Sequence, residues 1–239
     1  MSAFAKFRPV AWPFRYAGSL KVGRLCGGIP TDPKVAEGWL RSKLGVANEA
    51  LIQQQVAEVM LERGVGADQA VAEVDANRHL NGFKRDDNGL YIEGRQLKAA
   101  LKEAAMVAAN AGKLTTKGWG QSDDKNYRKG IKAWFPEHVC VTEDRLPLGV
   151  TEPTGISQRF VHTSRGTGIQ YEEYVDDAEI DFTILSDHPF TDEQWAMIWL
   201  TGEQQGIGAT RSQGYGRYTV TRWDVLSAPK LKPVETAAS

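Results

Sequence analysis

The residues best suited to hold a ligand through the backbone lie near the C-terminus, in the stretch GIGATRSQGYGRYTV at 206–220. Closely spaced glycines let backbone N–H groups approach a polyanion or another backbone segment, and Arg211, Ser212 and Arg217 can bond phosphate oxygens. The stretch follows a predicted helix and precedes a predicted strand, whereas the phosphate loop of a nucleotide cofactor follows a strand and begins a helix. The order therefore argues against a nucleotide cofactor. It leaves a polyanion site or a tight turn packed under a neighbouring strand.

A second cationic segment, YIEGRQLKAALKEAA at 91–105, joins the end of a strand to the start of a helix. Arg95, Lys98 and Lys102 lie near the beginning of that helix, where positive charges oppose the helix macrodipole. Cations in this position indicate either an anion site or a solvated basic face.

The third basic segment, residues 113–134, has no hydrophobic periodicity. Cations neutralise phosphates and aromatic rings stack on unpaired bases, so its composition is typical of single-stranded nucleic-acid binding. The alternative is a solvated loop with Trp134 in the core. The cations and aromatic residues of the segment are Lys113, Lys117, Trp119, Lys125, Tyr127, Arg128, Lys129, Lys132 and Trp134.

The composition limits the class of protein. The chain has 239 residues, of which 41% are hydrophobic and 25% charged, as in an ordinary globular protein. A net charge of -1 gives no overall attraction to nucleic acid or membrane, but residues 166–210 contain ten acidic residues and no Lys or Arg. Two isolated cysteines and four scattered histidines have no metal-ligand spacing, and no apolar run reaches the roughly 20 residues of a membrane span. We therefore expect a cytoplasmic protein with no metal, no cofactor and no membrane partner.

Periodicity predicts the elements that position the three basic segments. The order is strand, inserted helices, strand, helix, a long middle with hairpins, strand, helix, glycine loop and strand. Without the insertions this is an α+β chain with a ferredoxin-like, or RRM-like, β-α-β-β-α-β core. The predicted strands are 14–22, 90–92, 131–141, 171–185 and 215–223, and the predicted helices are 95–111 and one that begins at a capping box of Thr191 and Gln194.

The predicted domain organisation has one interrupted core. Residues 14–226 form the core, which is interrupted by a helical insertion at 34–76 and a hairpin or thumb-like region at 137–168. An N-terminal arm, residues 1–13, precedes the core, and a disordered tail, residues 227–239, follows it.

Two of these segments together resemble the two signatures of the RAMP superfamily of CRISPR-associated proteins, most closely those of the backbone subunits that coat the guide RNA. The segment 155–185 is similar to the part of the family with a projecting hairpin, an acidic residue and a long strand. The resemblance spans residues 14–225 apart from 34–76, and Glu93-Gly94-Arg95-Gln96 stands where the family usually has Pro-Gly-Ser-Ser. The first signature is Ile92, Gly94, Leu97, Lys98, Leu101 and Lys102, and the second is Gly206, Gly208, Ser212, Gly214, Tyr215, Gly216 and Arg217.

The resemblance implies a non-catalytic, largely sequence-independent RNA-binding subunit. It implies a guide-like single-stranded RNA as ligand, head-to-tail assembly with copies of the same chain, and other CRISPR-type subunits as partners. The candidate RNA-binding residues are Arg95, Lys98, Lys102, Lys117, Trp119, Arg128, Lys129, Arg159, Arg165, Gly206, Gly208, Arg211, Ser212, Gly214, Gly216 and Arg217.

Two other functions stay open. Some backbone subunits of the superfamily cut target RNA with an Asp in the loop after the first strand, and Asp32 and Asp75 are the positional candidates here. Asp32, before a proline, is also typical of a turn or cap. His162 could act as a general base toward a ribose hydroxyl, or make an ordinary polar contact. The third possibility is a structural or partner-binding protein without RNA binding, which the net charge and Glu93 allow.

Overall fold

The computed structural model describes residues 8–30, 57, 60–61, 80–114, 130–163 and 166–229, and for 159–170 it describes the backbone pairing alone. The helices are α1 (Arg8–Ala11), α2 (Gly94–Asn110), α3 (Ile131–His138) and α4 (Asp192–Gln205), with a 3₁₀ turn at Arg211–Gln213. The strands are β1 (Phe14–Cys26), β2 (Ile29–Pro30), β3 (Leu80–Gly82), β4 (Lys84–Asp86), β5 (Gly89–Glu93), β6 (Val139–Val141), β7 (Arg145–Pro147), β8 (Gly155–Thr163), β9 (Gly166–Ser186) and β10 (Tyr218–Ser227).

The centre of the fold is an antiparallel sheet with the strand order β10-β1-β9-β6. Helix α2 connects β1 to β6 after the intervening segments, and α4 connects β9 to β10. The chain order β1-α2-β6-β9-α4-β10 with the first strand between the last and the third is the ferredoxin-like arrangement. The predicted α+β class and β-α-β-β-α-β core are therefore confirmed.

Additional strands extend this sheet and form a second one. β3 pairs in parallel with the beginning of β9, β2 pairs with β3, and β8 forms a long hairpin with β9. β4, β5 and β7 form a separate three-stranded sheet. The predicted strand 90–92 belongs to this second sheet, within β5, and not to the four-stranded sheet.

Alternating side chains explain why one face of the large sheet is covered by helices. On β1, Tyr16, Leu20 and Val22 point into the core, and on β9 Ile180 and Ile184 do so. Their neighbours on both strands face the other way, toward solvent. The sequence predicted this alternation, which is the usual pattern of a strand with one buried face.

Helices α2 and α4 pack against that face and against each other. The buried residues of α2 include Leu97, Leu101 and Ala104, which follow the helical repeat. On α4, Trp195 and Trp199 join an aromatic cluster in which the ring of Trp223 lies 5.0 Å from that of Trp195, centroid to centroid. The predicted capping box at Thr191 is present, because its hydroxyl accepts from the Gln194 amide at 3.2 Å.

Two predicted strands begin later in the structure than the sequence indicated. Residues 131–138 form helix α3, and only 139–141 form a strand. Trp134 and Phe135 are buried, and with Ile131 they have the i, i+3, i+4 spacing of a helix, which the strand prediction overlooked. The last strand begins at Tyr218, three residues later than predicted, because Tyr215 to Arg217 still belong to the glycine loop.

The predicted domain bounds stay predictions. The helical insertion 34–76 lies outside the described residues except for positions 57, 60 and 61. Within the part of the chain that the structure describes, no helix has both the length and the apolar character needed to cross a membrane.

Candidate nucleic-acid interface

The two signature segments, more than 100 residues apart in sequence, meet in space at a shallow cleft. The cleft has a volume of about 130 Å³ and lies between α2 and the glycine loop, which we define as residues 206–217. Its lining residues are Gln96, Ala99, Ala100, Glu103, Gly208 and Arg211. The sequence did not predict this pairing of segments.

The glycines at the two ends of the glycine loop are required by the chain's own backbone. The Ile207 amide donates to the Gly216 carbonyl at 2.8 Å, and the Gly216 amide donates to the Arg24 carbonyl of β1 at 2.7 Å. A Cβ atom on Gly216 would overlap the Ile207 carbonyl, and one on Gly206 would crowd Gly216. Their φ angles of +73° and +76° also favour glycine. Of the two alternatives, the tight turn against β1 accounts for these two residues.

Gly208 and Gly214 differ from that pair. A Cβ on Gly208 would meet the side chain of Leu25, whereas one on Gly214 would meet nothing within 4 Å. Gly214 has φ +88° and lies at the exposed tip of the glycine loop. Protein packing therefore explains Gly208, backbone conformation alone explains Gly214, and the tip is open to a ligand.

The two arginines of the glycine loop have different surroundings. Arg211 Nη1 donates to Glu103 Oε2 of α2 at 2.6 Å, and these side chains are 33% and 39% exposed. Arg217 is exposed and makes no ion pair with a described carboxylate. Ser212 is exposed between them. Arg211 is thus neutralised inside the cleft, while Arg217 is available outside it.

Buried acids that the sequence left unassigned hold the base of the glycine loop. Thr210, at φ +61°, donates its hydroxyl to both carboxylate oxygens of Glu172, at 2.9 and 3.0 Å. Glu173 accepts from the Phe83 amide at 3.1 Å and from Arg85 at 2.7 Å, which raises the pKa of Arg85. Both glutamates are buried. The sequence shows two adjacent acids in a predicted strand, but it could not predict their structural role, because their hydrogen-bond partners are distant in sequence.

Helix α2 presents its cations on a flank that does not face the glycine loop. At about 100° per residue, Lys102 and Lys98 lie about 100° and 140° around the helix from Glu103. Neither lysine makes an ion pair with a described carboxylate. The structure therefore brings Glu103 and Gln96, not the two lysines, against the glycine loop.

Arg95 is the exception among the three predicted cations of α2. Its Nε donates to Glu93 at 2.7 Å, and Glu93 also accepts from Lys84 at 2.9 Å. These two bonds, that from Arg95 first, lower the pKa of Glu93. The Glu93 amide donates to the Gln96 side chain at 3.1 Å and so begins the helix. Glu93 is thus a structural counterion at the position where the sequence departs from the RAMP signature.

The α2–α3 cations, defined as Lys98, Lys102, Lys113 and Lys132, lie on α2, just after its C-terminus and on α3. All four make no ion pair with a described carboxylate, and α3 packs against α2. Trp134 is buried, stacked on His138 at 4.2 Å between ring centroids, so it belongs to the core. The predicted site residues Lys117, Trp119, Arg128 and Lys129, with Lys125 and Tyr127, lie outside the described residues.

The solvent face of the large sheet has a different charge pattern. Arg222 donates to Ser19 and Asp181, both at 3.1 Å, and Ser19 donates to Asp181 as well. Arg24 forms two hydrogen bonds with Asp176, at 2.6 and 2.9 Å, and its guanidinium lies 4.1 Å from the centre of the Tyr174 ring. These cations are already neutralised by the protein.

The catalytic candidates stay predictions. Asp32 and Asp75, with the predicted RNA-binding residue Arg165, lie outside the described residues. His162 and Arg159 lie in β8, where their backbones pair with Thr167 and Gln170 of β9. Among the described residues, no group of three His, Cys, Asp or Glu side chains is placed to hold a metal ion.

A histidine pair that the sequence did not single out lies beside α3. His138 Nδ1 is 2.8 Å from Asp187 Oδ1. The Trp134 ring contacts both histidines, stacked on His138 and T-shaped to His188. Burial, with a smaller effect of His138, lowers the pKa of His188. His188 therefore has a preference for the neutral form.

Comparison with known proteins gives matches among solved structures. No protein-family model matches the chain, and no curated protein matches its sequence. Among solved structures, the chain is similar to one in the cryo-EM structure of the Type III-B Cmr-beta bound to cognate target RNA, with a TM-score of 0.49 and 11% identity. The match covers 93% of this chain and 63% of that one, so this chain spans less than two thirds of its length.

Proposed function

We propose that this protein is an RNA-binding backbone subunit of the RAMP type, which assembles head-to-tail along a guide-like RNA in a CRISPR-type ribonucleoprotein. Three features support this function. The fold is ferredoxin-like, and the two segments that resemble the RAMP signatures pack against each other at one cleft. The α2–α3 cations, two of which belong to the basic aromatic segment, make no ion pair with a described carboxylate.

The distribution of unpaired cations carries the proposal. Six described cations make no ion pair with a described carboxylate, and four of them are the α2–α3 cations. A phosphate binds an unpaired cation more tightly than a cation in an ion pair, because no protein carboxylate has to be displaced first. RNA contact is therefore expected on the α2–α3 side and not on the solvent face of the sheet, where Lys21, Arg24 and Arg222 are paired.

The segregation of charge supports assembly on RNA. β9 and the start of α4 carry exposed acidic residues, among them Glu179 and Asp192, whereas the α2–α3 side carries lysines. Contact between an acidic flank and the basic flank of the next copy is heterologous, and such contacts form open helical arrays unless they close.

A binding experiment tests RNA contact on the α2–α3 side. The double variant Lys98→Ala/Lys102→Ala should bind labelled single-stranded poly(U) RNA more weakly than wild type. Its slope of log affinity against log salt should be shallower by about 1.4, or about 0.7 for each lost phosphate contact. Fluorescence anisotropy over a series of salt concentrations measures both quantities, with protein stripped of nucleic acid.

The matched control removes two cations from the other side of the molecule. Lys21→Ala/Arg222→Ala changes the net charge equally but removes side chains that are paired with Asp177 and Asp181. It should keep the wild-type salt slope. The proposal is wrong if wild-type protein has no salt-sensitive affinity for the RNA, and the placement is wrong if both double variants change the slope alike.

A further inference from the structure

The ion pair in the cleft suggests how RNA affinity is limited. Arg211 and Glu103 come from the two signature segments and lie 108 positions apart in sequence. They form the polar wall of the cleft together with Gln96. Because both side chains are about two-thirds covered and not fully buried, a ligand in the cleft reaches them directly.

The geometry leaves Arg211 able to exchange its partner. The contact with Glu103 uses Nη1, and a guanidinium has five N–H donors in a planar fork. The remaining donors can bind a phosphate without the side chain leaving the cleft. A phosphate held there would lie close to the Glu103 carboxylate, and like charges at that range repel each other.

The other cations near the signatures do not have this arrangement. Arg217 of the glycine loop and Lys98 and Lys102 of α2 make no ion pair with a described carboxylate. Arg95 is paired with Glu93. Glu93 also bonds Lys84 of the second sheet and, through its amide, the Gln96 side chain in the first turn of α2, so it has a structural role that Glu103 lacks. Glu103 accepts from Arg211 and from no other described residue.

We infer that Glu103 is an internal competitor of RNA for Arg211. It holds the guanidinium in the RNA-free protein, and a phosphodiester of bound RNA displaces it. This inference rests on the proposed function, because it assumes that RNA reaches the glycine loop.

The test is the sign of a single substitution. Glu103→Gln keeps the shape of the side chain and an acceptor oxygen for Arg211, but removes the competing charge. It should bind poly(U) RNA about two- to fivefold more tightly than wild type, the range expected from an exposed ion pair. Arg211→Ala should bind more weakly, and Arg211→Ala/Glu103→Gln should bind like Arg211→Ala, because the competitor has no cation left to mask.

Asp87→Asn is the matched control, since Asp87 is exposed in the turn between β4 and β5 and makes no ion pair with a described residue. It changes the net charge equally, does not line the cleft, and should leave the affinity within the error of wild type. If wild type binds RNA but Glu103→Gln binds no more tightly than Asp87→Asn, the inference is wrong and the proposed function stands. If neither wild type nor Glu103→Gln binds, the proposed function is wrong and the inference falls with it.

Discussion

At the scale of single residues, the glycines of the glycine loop exclude a side chain for different reasons. Gly206 and Gly216 lie where two backbone segments touch, and Gly214 lies where nothing does. A sequence pattern cannot separate these cases, because close approach to protein and close approach to a ligand both exclude a side chain. The contacts of each position decide between them.

This difference predicts two sizes of stability loss. Gly216→Ala combines left-handed strain with overlap of the Ile207 carbonyl and should lower the free energy of unfolding by about 2–4 kcal/mol. Gly214→Ala has the strain alone and should cost about 1–2 kcal/mol. Urea unfolding followed by tryptophan fluorescence measures both. Equal losses would show that backbone packing at Gly216 is not the cause.

At the scale of elements, hydrophobic periodicity predicted most of the core. The alternation on β1 and β9 and the apolar face of α2 were readable, because burial imposes a repeat on neighbouring residues. Helix α3 was misread as a strand, because eight residues with three aromatic or β-branched positions fit both patterns. The bond between Glu103 and Arg211 was not readable at all, since only the folded topology joins such distant positions.

The second sheet has ion pairs that should make stability depend on pH. Arg145 donates to Asp86 at 2.8 Å, and this bond, with a smaller effect of the Asn88 amide, lowers the pKa of Asp86. The pKa of Glu93 is lowered by Arg95 and Lys84. A carboxylate with a lowered pKa stabilises the fold above its unfolded value of about 4, and this stabilisation is lost as the pH falls through the folded value.

Replacing these two acids should therefore make the stability of the fold depend less on pH in the acid range. Asp86→Asn/Glu93→Gln should be less stable than wild type at pH 7 and should lose less stability between about pH 5 and pH 2. Thermal unfolding over that pH range is the measurement. Asp87→Asn, an exposed change in the same turn without an ion pair to a described residue, should keep the wild-type profile. Parallel profiles for wild type and the double variant would contradict the prediction.

At the scale of the whole molecule, the surfaces of the described part differ in where their cations lie and also in whether those cations form ion pairs with carboxylates. The net charge of -1 hides two different surfaces. The α2–α3 cations make no ion pair with a described carboxylate, whereas most described cations on the solvent face of the sheet are paired. A protein of this kind is expected to bind a polyanion along one side and to leave the other for contacts with protein.

This arrangement predicts a complex that grows with its RNA. On two single-stranded RNAs, one twice the length of the other, the number of bound protomers should double, because each copy covers a fixed length of backbone. Size-exclusion chromatography with light scattering gives the mass of each complex. A constant number of protomers on both RNAs would exclude assembly along the strand.

The crossing of Gly206 and Gly216 also has a practical consequence. The hydrogen bond from the Ile207 amide to the Gly216 carbonyl joins the two ends of the glycine loop, and the tip at Gly214 has open space around it. Because this hydrogen bond fixes both ends of the glycine loop, a short flexible peptide inserted between Gln213 and Gly214 should be accommodated without a shift of α4 or β10. The tip is therefore a suitable attachment point for a fluorophore or a crosslinker beside the proposed RNA path.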